Sequence, residues 1–150
     1  MATLDTRALR NAFGAFATGV TVITTKGADG KDYGLTANSF SSVSLDPPLL
    51  LWCLGDKTDC YETFQNAEYY AVHILADDQQ NLSNQFASKG ADKFAGVDVE
   101  RGPGDIPMLP GSVARFVCKA AHKYPGGDHV IHVGEVLEFS QGEVEPLLFH

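Results

Sequence analysis

The order of the apolar runs constrains this chain most. Strand-length segments rich in β-branched and aromatic residues follow one another across Gly-, Pro- and Asp-marked turns, and only three short segments carry a helical repeat. In VTVITT (Val20–Thr25), Val20 and Val22 face one way and Thr21 and Ile23 the other. KGADGK (Lys26–Lys31) is a turn by composition, so a hairpin should lead into Tyr33–Ala37. Asn38–Ser44 is small and polar and ends at Asp46-Pro47-Pro48. The apolar run Leu49–Leu54 should form a strand buried on both faces. Tyr69–Leu75, Arg115–Ala121 and His129–Phe139 are further strands, the last entered through the turn Pro125-Gly126-Gly127-Asp128. Gly96–Gly111, rich in Gly and Pro, reads as a surface excursion.

The helical segments are short. Asp5 or Thr6 can cap the first, in which Leu9, Ala12, Phe13 and Phe16 make one apolar stripe ended by Gly19. Thr58 or Asp59 can cap the second, carrying Tyr61 and Phe64. Asp77 or Asp78 opens the third, with Leu82 and Phe86 on one side and Gly90 closing it. Six or seven strands without βαβ alternation predict a mainly β fold. The expected form is an antiparallel barrel with a few short peripheral helices, as a single domain over residues 1–150.

Composition narrows function. Eleven Lys+Arg against 19 Asp+Glu give a net charge of −8, which argues against a nucleic-acid partner. The longest apolar run is far short of the roughly 20 residues of a membrane span. Asp5, Arg7 and Arg10 interrupt any export signal. Cys53, Cys60 and Cys118 are an odd set without C-x-x-C spacing, so neither a disulfide framework nor a metal site is expected, and a reduced cytoplasmic protein is.

Three segments carry chemistry. In Thr36-Ala37-Asn38-Ser39-Phe40-Ser41-Ser42, small polar side chains let backbone N–H groups approach a phosphate or a heteroaromatic edge. The same composition also suits a turn that satisfies its own backbone. Gly55-Asp56-Lys57-Thr58 precedes a helix, where free N–H groups and Lys57 can attract an anion; it reads equally as a capped surface helix. Gly127-Asp128-His129 places a partly exposed His at a turn. His132, three residues on, faces the opposite side, which makes the pair a poor metal site. Cys53 and Cys118 read as packing residues, and Trp52 as core or as a ligand-pocket wall.

Together, FGAFATGVTVITT (Phe13–Thr25), GLTANSFSSVSLDPPLLLWCL (Gly34–Leu54), YAVHILADDQQNLSNQFA (Tyr70–Ala87), GDHVIHVGEV (Gly127–Val136) and PLLF (Pro146–Phe149) cover nearly the whole chain in order. They resemble the short-chain flavin reductases of two-component monooxygenases, the flavin-reductase-like group. The resemblance implies a six-stranded antiparallel Greek-key split barrel, paired as a homodimer with flavin sites at the interface. It implies NAD(P)H:flavin oxidoreductase activity, with FMN or FAD reduced by NADH or NADPH and handed to a partner monooxygenase. The lack of an Arg cluster for a 2′-phosphate leans toward NADH. By the same resemblance Thr36, Ala37, Asn38, Ser39, Ser41 and Ser42 hold the flavin ring and side chain. Cys53, Leu54, Gly55, Lys57 and Thr58 lie near its phosphate, and Asn84, Gln85, Phe86 and Ala87 also contact it. His129 lies near flavin and nicotinamide; from its place in the turn, Asp128 reads either as a residue that orients His129 or as a turn residue only. Family chains commonly continue past PLLF with a short tail, whereas this sequence stops at His150. A non-catalytic flavin carrier, an oxidase of the pyridoxamine-phosphate type and a barrel used only for protein contact remain as other readings of the same barrel.

Overall fold

The computed structural model describes residues 3–90 and 92–149, so His150 lies outside the described residues. In chain order the elements are α1 (Thr6–Gly14), β1 (Thr18–Gly19), β2 (Thr21–Lys26), β3 (Asp32–Ala37), β4 (Phe40–Leu45), β5 (Pro48–Gly55), α2 (Tyr61–Gln65), β6 (Tyr69–Ile74), α3 (Gln80–Ala87), β7 (Glu100–Arg101), β8 (Pro107–Met108), β9 (Ala114–Gly126), β10 (His129–Gln141) and β11 (Leu148–Phe149). The main sheet is antiparallel throughout, in the order β3-β2-β6-β9-β10-β5-β4. β1 pairs with β11, and β7 with β8.

The predicted β2–β3 hairpin forms, with Thr21 opposite Ala37 and Lys26 opposite Asp32. Its turn is closed by Gly27 N–H donating to Lys31 O at 2.8 Å, with Gly30 at φ +81°. β9 and β10 meet across Gly127-Asp128, where Gly127 at φ +73° supplies the left-handed first position that a two-residue hairpin loop favours.

The two edges of the sheet, β3 and β4, are joined by Asn38-Ser39 alone. Ile23, Leu35, Leu50, Trp52, Leu54, Tyr70, Val72 and Cys118, drawn from strands along most of the sheet, form one buried cluster. The sheet therefore coils around that core, yet its edges do not ladder to one another. The main sheet is antiparallel with seven strands and is not closed, where the resemblance implied a six-stranded Greek-key split barrel. Trp52 anchors the core, edge-on to Phe64 at 5.6 Å and Tyr70 at 5.5 Å and stacked on His132 at 4.8 Å. Val20 and Val22 pack into a second cluster under α3, while Ile23 joins the first, so β2 presents two buried faces as its alternation predicts.

Several expectations are corrected. Leu49–Leu54 is buried on one face only: Leu50, Trp52 and Leu54 enter the core, and Leu49, Leu51 and Cys53 stay partly exposed. An unbroken apolar run hides the two-residue period that burial follows. Within the small polar stretch Asn38–Ser44, to which the sequence pattern assigns no element, residues from Phe40 onward form edge strand β4. Gly96–Gly111 is not only a surface excursion: Ile106, Pro107, Met108 and Leu109 are buried. His73 pins that segment, its Nδ1 at 2.9 Å from Val22 O and its Nε2 accepting from Leu109 N–H at 2.9 Å. On the outside, Arg101 grips Asp32 with two nitrogens at 2.7 and 2.9 Å.

The helix ends also move. Asp5 does cap α1, accepting from Arg7 N–H at 3.0 Å and Ala8 N–H at 3.2 Å. The helix ends at Gly14, since Thr18–Gly19 is drawn into pairing with Leu148–Phe149. Its apolar stripe is not core: no α1 residue is buried, and Phe13 and Phe16 are 71% and 79% exposed. Helix α2 starts at Tyr61 after Cys60, not after Thr58 or Asp59. Helix α3 starts after Gln79 and stops at Ser88, because the Asp77 N–H is taken by Glu145 O. No helix among the described residues is long and apolar enough to cross a membrane.

Candidate active site

A cavity of about 590 Å³ opens where β3 and β4 part. One wall is the corner Thr36-Ala37-Asn38-Ser39; the floor includes Cys53 and Gly55; the turn Asp56–Asp59, the end of α3 and the Asp128-His129 pair complete it.

The wall is fixed by its own side chains. Ser39 Oγ donates to Cys53 O at 3.2 Å and accepts from Cys53 N–H at 3.1 Å, tying the corner to β5 across the opening. Thr36 Oγ1 donates to Ser83 O at 2.7 Å, which docks α3 on β3, and Thr21 Oγ1 donates to Ala37 O at 2.7 Å. These hydroxyls are held by the protein, so they act on a ligand by rigidifying the backbone that lines the cavity. Because β3 is an edge strand, its outer backbone groups have no strand partner in the main sheet. Gly34 lets α3 approach: a Cβ there would stand 2.5 Å from the ring of Phe86, which lines the cavity from α3.

The opposite side is set by the β5–β10 register, in which His129 lies opposite Gly55. A Cβ on Gly55 would come within 3.5 Å of His129 Nε2 and 3.3 Å of Thr58 Oγ1, so the missing side chain keeps this junction narrow. Asp56 N–H donates to Asp128 O at 3.0 Å, locking the two turns together. His129 Nδ1 is 2.7 Å from Asp128 Oδ1. An ionised carboxylate only accepts, so Nδ1 carries the proton and Nε2 is the nitrogen free to meet a ligand. That hydrogen bond holds the Asp128 carboxyl below the usual carboxylate range. Burial pushes the Cys53 thiol up, partly offset by the Ser39 hydroxyl, so it stays a neutral lining group.

The cavity gathers four cations from three places: Arg10 of α1, Lys57 of the β5–α2 turn, and Lys89 and Lys93 beyond α3. Of these only Lys57 was legible in the sequence. The other three lie beyond any local motif and arrive through tertiary packing. Gln85 shows how: its Nε2 donates to Lys93 O at 2.7 Å and Ala95 O at 2.9 Å, holding the loop after α3 against the helix. Lys57 is exposed and sits in a turn that does not belong to α2. A five-residue helix starting at Tyr61 gives it no terminal dipole, so any attraction for an anion rests on the ammonium and turn N–H groups.

Of the other residues singled out, Ala87 lines the cavity and Thr58 closes its turn. Ser41 and Ser42 lie on β4, away from the cavity lining, with Ser41 Oγ donating to Ser42 O at 2.9 Å. Leu54 points into the core. Asn84 borders a smaller cavity behind the Thr36–Asn38 corner and accepts from Gln80 Nε2 at 3.0 Å. His132 is buried on the far side of β10, within 2.7 Å of Gln65 Oε1. Among the described residues no group of three or more His, Cys, Asp or Glu is gathered to hold a metal ion.

Residues 13–150 match the flavin reductase like domain, and the chain belongs to that family. A probable flavin reductase of Rhizobium meliloti (strain 1021) is 47% identical over 143 residues, which cover 95% of this chain and 46% of the relative. The FMN reductase (NADH) of Agrobacterium fabrum is 43% identical over 145 residues, covering 97% of this chain and 82% of the relative. A solved NADH:FAD oxidoreductase of Streptomyces globisporus, in complex with NAD and FAD fragments, is 38% identical with a TM-score of 0.90, covering 99% of this chain and 92% of that one. Further relatives are named as reductase components or subunits of flavin-dependent monooxygenases. The chain thus spans less than half of the Rhizobium relative's length.

Proposed function

We propose that this chain is an NADH-dependent flavin reductase that supplies reduced flavin to a partner monooxygenase. The observation that carries the reading is a rigid backbone wall at Thr36–Ser39 facing an oriented Asp128–His129 pair across one cavity, in a chain of the flavin-reductase-like family. The cavity fits the group: about 590 Å³ lies within the ~300–1,000 Å³ range of small-molecule sites, and backbone edges beside small side chains suit a planar heteroaromatic ring.

Bound flavin supplies the hydride acceptor and bound nicotinamide the donor, so the chain's contribution is placement and electrostatics. Orientation of two planar reactants is worth several powers of ten in rate when the walls do not yield. The Ser39–Cys53 and Thr36–Ser83 hydrogen bonds provide that stiffness. Backbone donors at Thr36–Ser39 favour negative charge on the ring edge they face. Lys57 neutralises the ligand phosphate, needed in a protein of charge −8. His129, steered by Asp128, positions the nicotinamide through Nε2.

The open coiled sheet is read as the split-barrel form of flavin-binding folds. A homodimer is supported by the exposed α1 stripe, where Phe13 and Phe16 share a 740 Å³ groove with Phe149, next to Arg10 and Asn38 of the site. Three free cysteines support a reducing compartment, the cytoplasm. The monooxygenase partner rests on the names that relatives carry. The test is NADH oxidation by the purified chain with and without added FMN or FAD. Oxidation that requires flavin supports the reading; flavin binding without oxidation favours the carrier, and no binding rejects both.

A further inference from the structure

Gln85 lies on α3 beside the site but not in its wall. It borders a separate cavity of about 330 Å³, together with Leu82, Gly96 and Val97, while its neighbour Phe86 lines the site. The Gln85 amide is spent within the protein. Its Nε2 donates to Lys93 O at 2.7 Å and to Ala95 O at 2.9 Å, and an amide nitrogen has only those two hydrogens. Two carbonyls in front of the group require its NH₂ end there, which fixes its orientation. The main-chain carbonyl of Gln85 accepts from Ser88 Oγ at 2.6 Å and from Ser88 N–H at 3.4 Å. One residue thus ties down Ser88, where α3 stops, and Lys93 and Ala95, where the chain returns to the helix.

The tie at Lys93 O matters at the other end of that residue. The Lys93 Nζ donates to Gly34 O at 3.0 Å and stands 3.6 Å from Asp59 Oδ1, at the edge of the active-site cavity. Lys93 is therefore fixed twice, its carbonyl by Gln85 and its ammonium by Gly34 and Asp59. The third ammonium hydrogen remains for a ligand. A lysine stem is flexible, and ordering it before the ligand arrives removes that cost from binding. With its carbonyl released, the side chain would have to be ordered anew each time an anion entered.

We propose that Gln85 is a positioning residue: by holding the Lys93 and Ala95 carbonyls it keeps the Lys93 ammonium turned to the phosphate of the bound flavin. The inference rests on the flavin reductase reading. Gln85 itself touches neither flavin nor nicotinamide and acts through Lys93.

The experiment compares wild type with Gln85→Glu and Gln85→Met, and places Gln85→Met on Lys93→Gln and on Lys57→Ala. Gln85→Glu keeps the size but, ionised, can only accept, and Gln85→Met keeps the length without either donor. Fluorescence titration gives Kd for FMN and for riboflavin, which lacks the phosphate. Both Gln85 variants should raise the FMN Kd about fivefold and leave the riboflavin Kd within about twofold of wild type. Gln85→Met should add nothing to Lys93→Gln and should keep its full effect on Lys57→Ala. Equal rises for FMN and riboflavin, or loss of riboflavin binding in both variants, would assign Gln85 to the fold alone and overturn the proposal. So would an unchanged FMN Kd, an effect undiminished on Lys93→Gln, or a Lys93→Gln protein that binds FMN like wild type; each leaves the flavin reading intact. Failure of wild type to bind either flavin rejects that reading and the proposal with it.

Discussion

His129 and His132 stand three residues apart on β10 and occupy opposite environments. His132 is buried, stacked on Trp52 at 4.8 Å and bonded to Gln65. His129 is about half exposed, lies over Gly55 and is paired with Asp128 at the cavity. The same division runs through β5, where Trp52 and Leu54 build the core and Cys53 and Gly55 the cavity. One strand pair thus serves two purposes by its two-residue period. Core-side rings are enclosed by packed neighbours, whereas on the cavity side His129 keeps Nε2 free. Substitutions on the core side should therefore cost stability, and those on the cavity side affinity or rate.

The largest effect should come from His73, the most enclosed of the core-side imidazoles. His73→Ala leaves Val22 O and Leu109 N–H without their partner and opens a void, and should cost about 3 kcal/mol in urea unfolding. A loss below ~1 kcal/mol would mean that the 96–111 segment is held by its surface ion pairs instead.

Acid should act on the same side of the comparison. Burial pushes His73 and His132 down to about 4, so both are neutral in the fold, whereas an unfolded imidazole titrates near 6.5. The unfolded chain then binds more protons between those values. Stability is full above about pH 6.5, falls as pH drops toward about 4, and stops falling on their account below that. Thermal melts across this window check it. His132→Gln should make the decline shallower.

Cavity-side substitutions should spare the melting temperature. Lys57→Ala should weaken FMN about tenfold, read by fluorescence titration, and lose its effect against riboflavin, which lacks the phosphate. His129→Ala should raise the NADH KM about fivefold with the flavin Kd near wild type. Asp128→Asn, which loosens the ring without removing it, should give the same pattern at about twofold. If His129→Ala unfolds the protein as readily as His73→Ala, the division between the two sides fails.

Much of this division was legible in the residues. The β2–β3 hairpin followed from KGADGK, the opposed histidines from strand period, and the α1 start from Asp5. Other features were not, for physical reasons. Leu49–Leu54 is apolar at every position, so nothing local tells which face meets the core. Ile106–Leu109 hides in a Gly- and Pro-rich stretch because its burial depends on His73, distant in the chain. In the site, the Thr36–Ser39 corner and Gly127-Asp128-His129 carry local signals of close backbone approach and of a turn. Arg10, Lys89 and Lys93 carry none, since an isolated cation reads as a solvated surface residue until packing brings it to the cavity. The α1 stripe was legible as a stripe, but not as one facing outward.

The most direct test of the central claim is anaerobic rapid mixing of the flavin-loaded protein with NADH, followed by visible flavin absorbance. Wild type should bleach in a phase whose rate saturates with NADH. His129→Ala should reach a similar limiting rate at several-fold higher NADH, as expected for a residue that places the nicotinamide. Flavin that binds in the cavity yet is not bleached by NADH would contradict the account.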